Sequence, residues 1–219
     1  CGNYEYAFHS ALFYCFYSFL AGTDLDKTNK IFIKFIQIME NKKQDYQLAY
    51  AQIWHQLLLN LRHGEDQPVT LIGSAFDESK QLPALLESQN VTTLFCFHFA
   101  KMTLAYLFDD LEQAEQQLAK AEAYSSCAVS LYHFGEFFFY AALVLAKICR
   151  EQQDKNSESF QAKLKKIDDY HDLIKLWSEK GHENYQHKNL LIQAERQALA
   201  NNANAWQSYD QAASMADKY

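Results

Sequence analysis

Two prolines and six glycines in 219 residues leave this chain few points at which a helix must break. Proline removes a backbone donor and glycine costs backbone entropy. A sequence poor in both, and rich in Ala, Leu, Gln, Glu and Lys, argues against frequent interruptions and favours helix almost throughout. Basic excess is also missing. Twenty Lys and Arg against 27 Asp and Glu give a net charge of −7, so neither nucleic acid nor an anionic membrane finds an electrostatic footprint. Paired cysteines are missing too: the five (Cys1, Cys15, Cys96, Cys127, Cys149) are odd in number, scattered and without a CxxC pair. That usage suits a reducing cytoplasm, with thiols as small apolar fillers and no disulfide expected. No Gly-rich phosphate loop, nucleophile elbow or basic–aromatic stripe occurs, so neither catalysis nor a cofactor is expected. No charged n-region or cleavage site marks a signal peptide.

What is present is apolar mass. Apolar residues make up 49% and aromatics 15%, enough to bury a sizeable core as one domain over 1–219 or as an array of repeats. Residues 4–21, "YEYAFHSALFYCFYSFLA", are apolar nearly all round, the pattern of a helix covered on every side. Its small residues Ala7, Ala11, Cys15, Ser18 and Gly22 suit close approach of a neighbour. The expected cover lies upstream, which makes the chain an internal segment. Phe8, Phe16 and Phe19 are then expected to be partly exposed and to drive self-association through this helix.

Helical periodicity continues over 25–41, with Thr28, Phe32, Phe35 and Met39 on one face, and over 45–62, with Tyr46, Tyr50, Ile53, Leu57 and Leu61. Residues 63–74 are irregular. Asp77 is placed to cap a short helix through "ESKQLPALLES", which Pro83 either starts or kinks. Further helices are expected over 91–108, 111–125, 129–152, 157–180, 183–200 and 203–218. About ten helices joined by short turns read as antiparallel neighbours.

Two of these helices share a stripe. Ala114, Leu118 and Ala121 follow a small–large–small pattern at i, i+4 and i+7, and Ala205, Tyr209 and Ala212 repeat it. Such a stripe lets the second helix of a hairpin nestle against the first helix and the next repeat, as in tetratricopeptide repeats. The spacing is irregular, and the first helices lack the usual Trp and Gly. The fold expected is therefore all-α, with irregular tetratricopeptide-like hairpins stacked in a right-handed solenoid; a generic helical bundle is the alternative.

The segments "YEYAFHSALFYCFYSFLAG", "YAQIWHQLLLNL", "FDESKQLPALLES", "TLAYLFDDLEQA" and "HKNLLIQAERQAL", in this order, resemble the helical region of very large bacterial sensor kinases common in cyanobacteria. Proteins of that kind carry a serine/threonine-kinase-like domain, a STAND-type AAA ATPase, a helical repeat region, and then GAF and histidine-kinase or cyclase domains. The resemblance implies a middle segment of such a protein: a non-catalytic sensing or coupling module whose partners are adjacent domains or a regulatory protein.

A solenoid offers a concave binding surface, on which Phe99, Thr103 and Tyr106, with Lys188 and Glu195 in the last pair, are the candidate binding residues. The rival reading is enzymatic. "DDYHD" (168–172) spells the DDxxD by which Asp168, Asp169 and Asp172 of an all-α isoprenoid-synthase-like enzyme would hold Mg²⁺. The second acidic motif such enzymes need is missing, since "DDLEQ" ends in Gln113. Lys165, Lys166 and Lys175 beside the aspartates suit a solvated helix with ion pairs. "HENYQH" (182–187) imitates a zinc motif, but His182 and His187 are five residues apart and do not share a helix face. "HFGEFFFYAALVLAKI" (133–148) has an uncharged core of only Phe137–Ala146, about half of the ~20 residues that a span requires. It reads as a central buried helix.

Overall fold

The computed structural model describes residues 4–63, 67–129 and 133–218. Among them lie ten α-helices: α1 (Tyr4–Leu20), α2 (Leu25–Asn41), α3 (Asp45–His63), α4 (Glu78–Glu87), α5 (Val91–Leu107), α6 (Leu111–Tyr124), α7 (His133–Glu151), α8 (Glu158–Lys180), α9 (His182–Leu199) and α10 (Ala205–Lys218). A 3₁₀ turn, Ser125–Ala128, follows α6. The chain divides into two compact units, Cys1–Cys127 and Ala128–Tyr219.

Short polar residues start the helices. The side chains of Asp24, Asn90, Asp110 and Ser157 accept from the backbone N–H of Lys27, Thr93, Gln113 and Phe160, and Asp77 accepts from Ser79. Each cap satisfies a donor that has no partner inside its helix, worth about 0.5–2 kcal/mol. Four turns end a helix in a common way. Gly22, Lys43, Asp109 and Asn201 adopt the left-handed conformation (φ 69°, 53°, 67° and 54°). The next N–H reaches back to a carbonyl five residues earlier: Thr23 to Ser18, Gln44 to Met39, Asp110 to Ala105, Asn202 to Gln197. These are Schellman closures. Only the first uses glycine, so the other three carry a backbone cost of about 1–2 kcal/mol each.

In the first unit α1 packs on α2 and α3, α3 on α5, and α5 on α6. Trp54 is its centre, 1% exposed, with ring centroids 4.3 Å from Phe16, 5.4 Å from Phe99 and 6.1 Å from Phe19. Phe8 and Phe16 are therefore buried, contrary to the exposed face expected of them, because the chain's own α2 and α3 cover that side of α1. Among its described side chains α1 leaves Tyr6, Ala7, Ser10 and Tyr14 exposed, the last edge-on to Phe35. Helix α1 is thus one-sided and not covered all round. In α2 the buried face is Thr28, Phe32, Ile36 and Met39, with Ile36 where Phe35 was expected. Tyr46 of α3 lies exposed. Residues 67–77, the described part of the stretch after α3, are irregular and held by side-chain hydrogen bonds. Asn60 donates to the carbonyls of Pro68 and Thr70, and Gln56 accepts from the N–H of Ala75 and Phe76. Leu71 and Phe76 plug the core beneath them. Pro83 lies inside α4, a helix with no buried residue.

In the second unit α7 packs on α8 and α9, α8 on α9, and α9 on α10. Helix α7 is the buried one, with Phe137, Ala141, Ala142, Val144 and Cys149 in the core, facing Phe160, Ile167, Tyr170 and Ile174 of α8 and Ile192 of α9. Among the described residues both stripes lie on the face that packs against the preceding helix, α6 on α5 and α10 on α9, without the expected contact to a following repeat. Ala114, Leu118 and Ala121 are buried, as are Ala205 and Ala212, with Tyr209 half-buried.

Candidate functional site

Helix α9 holds the second unit together through a seven-residue ladder. Lys188 donates to Glu136 of α7, and Glu195 accepts from Arg150 of the same helix. One position further round, Asn189 Oδ1 lies 2.9 Å from His171 Nε2 of α8, and Asp168 of α8 accepts from Arg196 at 2.5 and 2.9 Å. Residues seven apart advance by about two helical turns, so 188 and 195 share one stripe and 189 and 196 the next. Gln197 accepts from Ser208 of α10 at 2.8 Å. Arg150 also donates to Tyr209 of α10 at 2.8 Å. Lys188 and Glu136 are both buried, and the Lys188 ammonium lies 5.5 and 5.7 Å from the ring centroids of Tyr185 and Phe139. Tyr185 reaches α7 because residue 135 is glycine: a Cβ there would come within 2.6 Å of its hydroxyl.

The candidate binding residues fall as follows. Phe99 is fully buried, its ring against Trp54 and Phe95, and Thr103 is buried with its hydroxyl donating to the Phe99 carbonyl at 3.0 Å. Tyr106 is half-buried on the last turn of α5. Lys188 and Glu195 tie α9 to α7. The five are thus divided between the two units, and most of their polar atoms are engaged in packing. Asp168 is exposed but held in the Arg196 fork, with Asp169 and Asp172 exposed on the same helix. Among the described residues no three His, Cys, Asp or Glu side chains are grouped to hold a metal ion. His187 is half-buried, its Nδ1 without a hydrogen-bond partner, and burial pushes its pKa down to about 4.

An open groove remains on the outer side of the second unit, between α9 and α10, of about 480 Å³. Leu190 and Met215 form its apolar part, flanked by Gln186, Asp210, Gln211, Ser214 and Lys218. Trp206 of α10 is 60% exposed. The groove was not legible beforehand, because its residues alternate with those of the buried stripe and read as an ordinary solvated face. A family model described as CHK1-like, TPR repeats matches residues 79–218. The chain belongs to this family. The CHK1-like tetratricopeptide match runs from α4 to α10 and so contains both stripes and the groove. No curated protein and no solved structure matches the chain. Tetratricopeptide repeats are helical interaction modules, and no helix among the described residues is long and apolar enough to cross a membrane.

Proposed function

We propose that the chain is a non-catalytic coupling module of a cytoplasmic bacterial signalling kinase with a STAND-type ATPase, and that its partner is a protein segment from a neighbouring domain. The observation that carries this reading is the repeat-family match over residues 79–218. The α9–α10 groove supports it: it is preformed, its floor is apolar, and amide, hydroxyl, carboxylate and ammonium groups border it, the composition that suits a peptide. The ladder of α9 supports it by fixing both walls. Lys188 and Glu195 act in this reading as part of the frame behind the groove, while Phe99, Thr103 and Tyr106 belong to the packing of the first unit. Self-association through α1 would use Tyr6 and Tyr14, since Phe8 and Phe16 lie inside.

The test is made in the parent protein. Leu190→Asp and Met215→Asp place a charge on the groove floor without touching the ladder. ATPase and autophosphorylation rates that lose their response to the input domain, with an unchanged helical melting curve, support the proposal. Rates and response equal to those of the unmodified protein refute it.

A further inference from the structure

The first unit holds a separate pocket, independent of the α9–α10 groove and upstream of the family match. It is about 390 Å³, between α2, α3 and the loop at Ser74 and Ala75, within the range of small-ligand sites. One side of it is fixed. His55, 8% exposed, stacks on Phe32 with ring centroids 5.4 Å apart and has its Nε2 2.8 Å from Asn29 Oδ1. The loop is clamped by Gln56, whose amide oxygen accepts from Ala75 at 3.1 Å and Phe76 at 3.3 Å. A Cβ at Gly73 would lie 2.4 Å from that amide, so only glycine allows the loop to sit this close.

The lining has one sign of charge and free polar capacity. Glu40 is the one carboxylate, and no lysine or arginine lines the pocket. Among the described residues Gln37, Glu40 and Ser74 are exposed at the pocket's open side, and their side chains have no protein partner. Gln52, also in the lining, accepts from Gln81 at 3.2 Å through its side-chain oxygen. Burial and the neighbouring Arg62 hold the His55 pKa down to about 4, so this wall is neutral at physiological pH. Ile36 is buried, and Ile33 is half exposed at the rim. An anion is repelled by this arrangement. A cation on an aliphatic stem is matched twice, by the carboxylate and by the two isoleucines.

We infer that this pocket binds the alkylammonium or guanidinium side chain of a lysine or arginine in a peptide. Glu40 receives the cation, Ile33 and Ile36 cover the stem, and Gln37, Gln52 and Ser74 hydrogen-bond the peptide backbone.

The experiment is a calorimetric and NMR titration of the 219-residue chain with Nα-acetyl-lysine methylamide, its arginine counterpart, the norleucine counterpart and free lysine. Both capped cationic probes should bind saturably, with shifts at Ile33, His55 and Ser74, and norleucine should bind about two- to fivefold more weakly, the scale of an ion pair with an exposed carboxylate. Glu40→Gln should weaken the lysine probe by a similar factor, and Ile33→Ser by about threefold, each with an unchanged melting curve. Norleucine binding as well as lysine, Glu40→Gln without effect, or shifts confined to other parts of the chain would each overturn the site. Free lysine binding more tightly than the capped probe would overturn the peptide source and assign the pocket to a free basic amino acid.

Discussion

Lys188→Met removes one half of the buried ion pair between α7 and α9. The partners are 7% and 4% exposed, so the variant leaves the Glu136 carboxylate inside the unit with no countercharge. Breaking a buried pair from one side costs about 3–5 kcal/mol. The ammonium's contacts with Tyr185 and Phe139 are lost as well, adding about 0.5–1 kcal/mol. For a chain of this length 1 kcal/mol moves the melting temperature by roughly 2–4 °C, so a fall of about 10 °C is expected. The double variant Glu136→Leu/Lys188→Met replaces the pair by apolar groups of similar size, a change that is neutral to stabilising in comparable cases. It should recover most of the loss. Urea unfolding followed by circular dichroism and fluorescence reads the loss; Trp177, 5.7 Å from Tyr185, reports from this unit, with Trp206 in the same unit and Trp54 in the other. A single variant that loses less than about 1 kcal/mol, or a double variant as unstable as the single, refutes the assignment of α9 as the tie between helices.

Three further outcomes follow from particular residues. Lys43→Gly should stabilise by about 0.5–1 kcal/mol by relieving a left-handed residue, and Lys43→Val should destabilise, both measured by thermal melting. Gly73→Ala should cost about 1–3 kcal/mol, because its Cβ displaces the Gln56 amide that satisfies two loop N–H groups. Stability should also fall as pH drops from about 6.5 to about 4. His133 is fully buried and its pKa is pushed from 6.5 to about 4, so in that window the unfolded chain binds a proton that the folded chain refuses. The loss is at most about 1.4 kcal/mol per pH unit for this group. His133→Leu should flatten that slope in urea titrations at pH 7 and pH 4.5.

Periodicity and capping residues carried much of this fold in plain view. Asp77, with a serine two positions on, reads as a cap and is one. The Ala114–Leu118–Ala121 stripe reads as a helix contact and is buried. Other features used residue types that say little. Lys43 and Asn201 occupy left-handed turns for which glycine is the usual marker, so the shared closure of four turns was invisible. The 188/195 and 189/196 ladder is made of charged and amide residues, which read as a solvated helix until the partners on α7 and α8 are in place. Phe99 and Thr103 look accessible as first-helix residues, yet α5 is packed by α3, α4 and α6. Phe8 and Phe16 fail in the same way: an all-round apolar helix does not say which side its own chain will cover. Gln56 and Asn60 order the following loop by side-chain-to-backbone bonds, which no periodicity reports.

Hydrogen exchange on the parent protein, compared with this chain alone, tests the central claim most directly. If the chain is a coupling module that receives a protein segment on α9 and α10, amides around Gln186–Leu190 and Asp210–Met215 should gain protection in the parent, while those of α5 exchange alike in both. Equal exchange along α9 and α10 in the two proteins would contradict it.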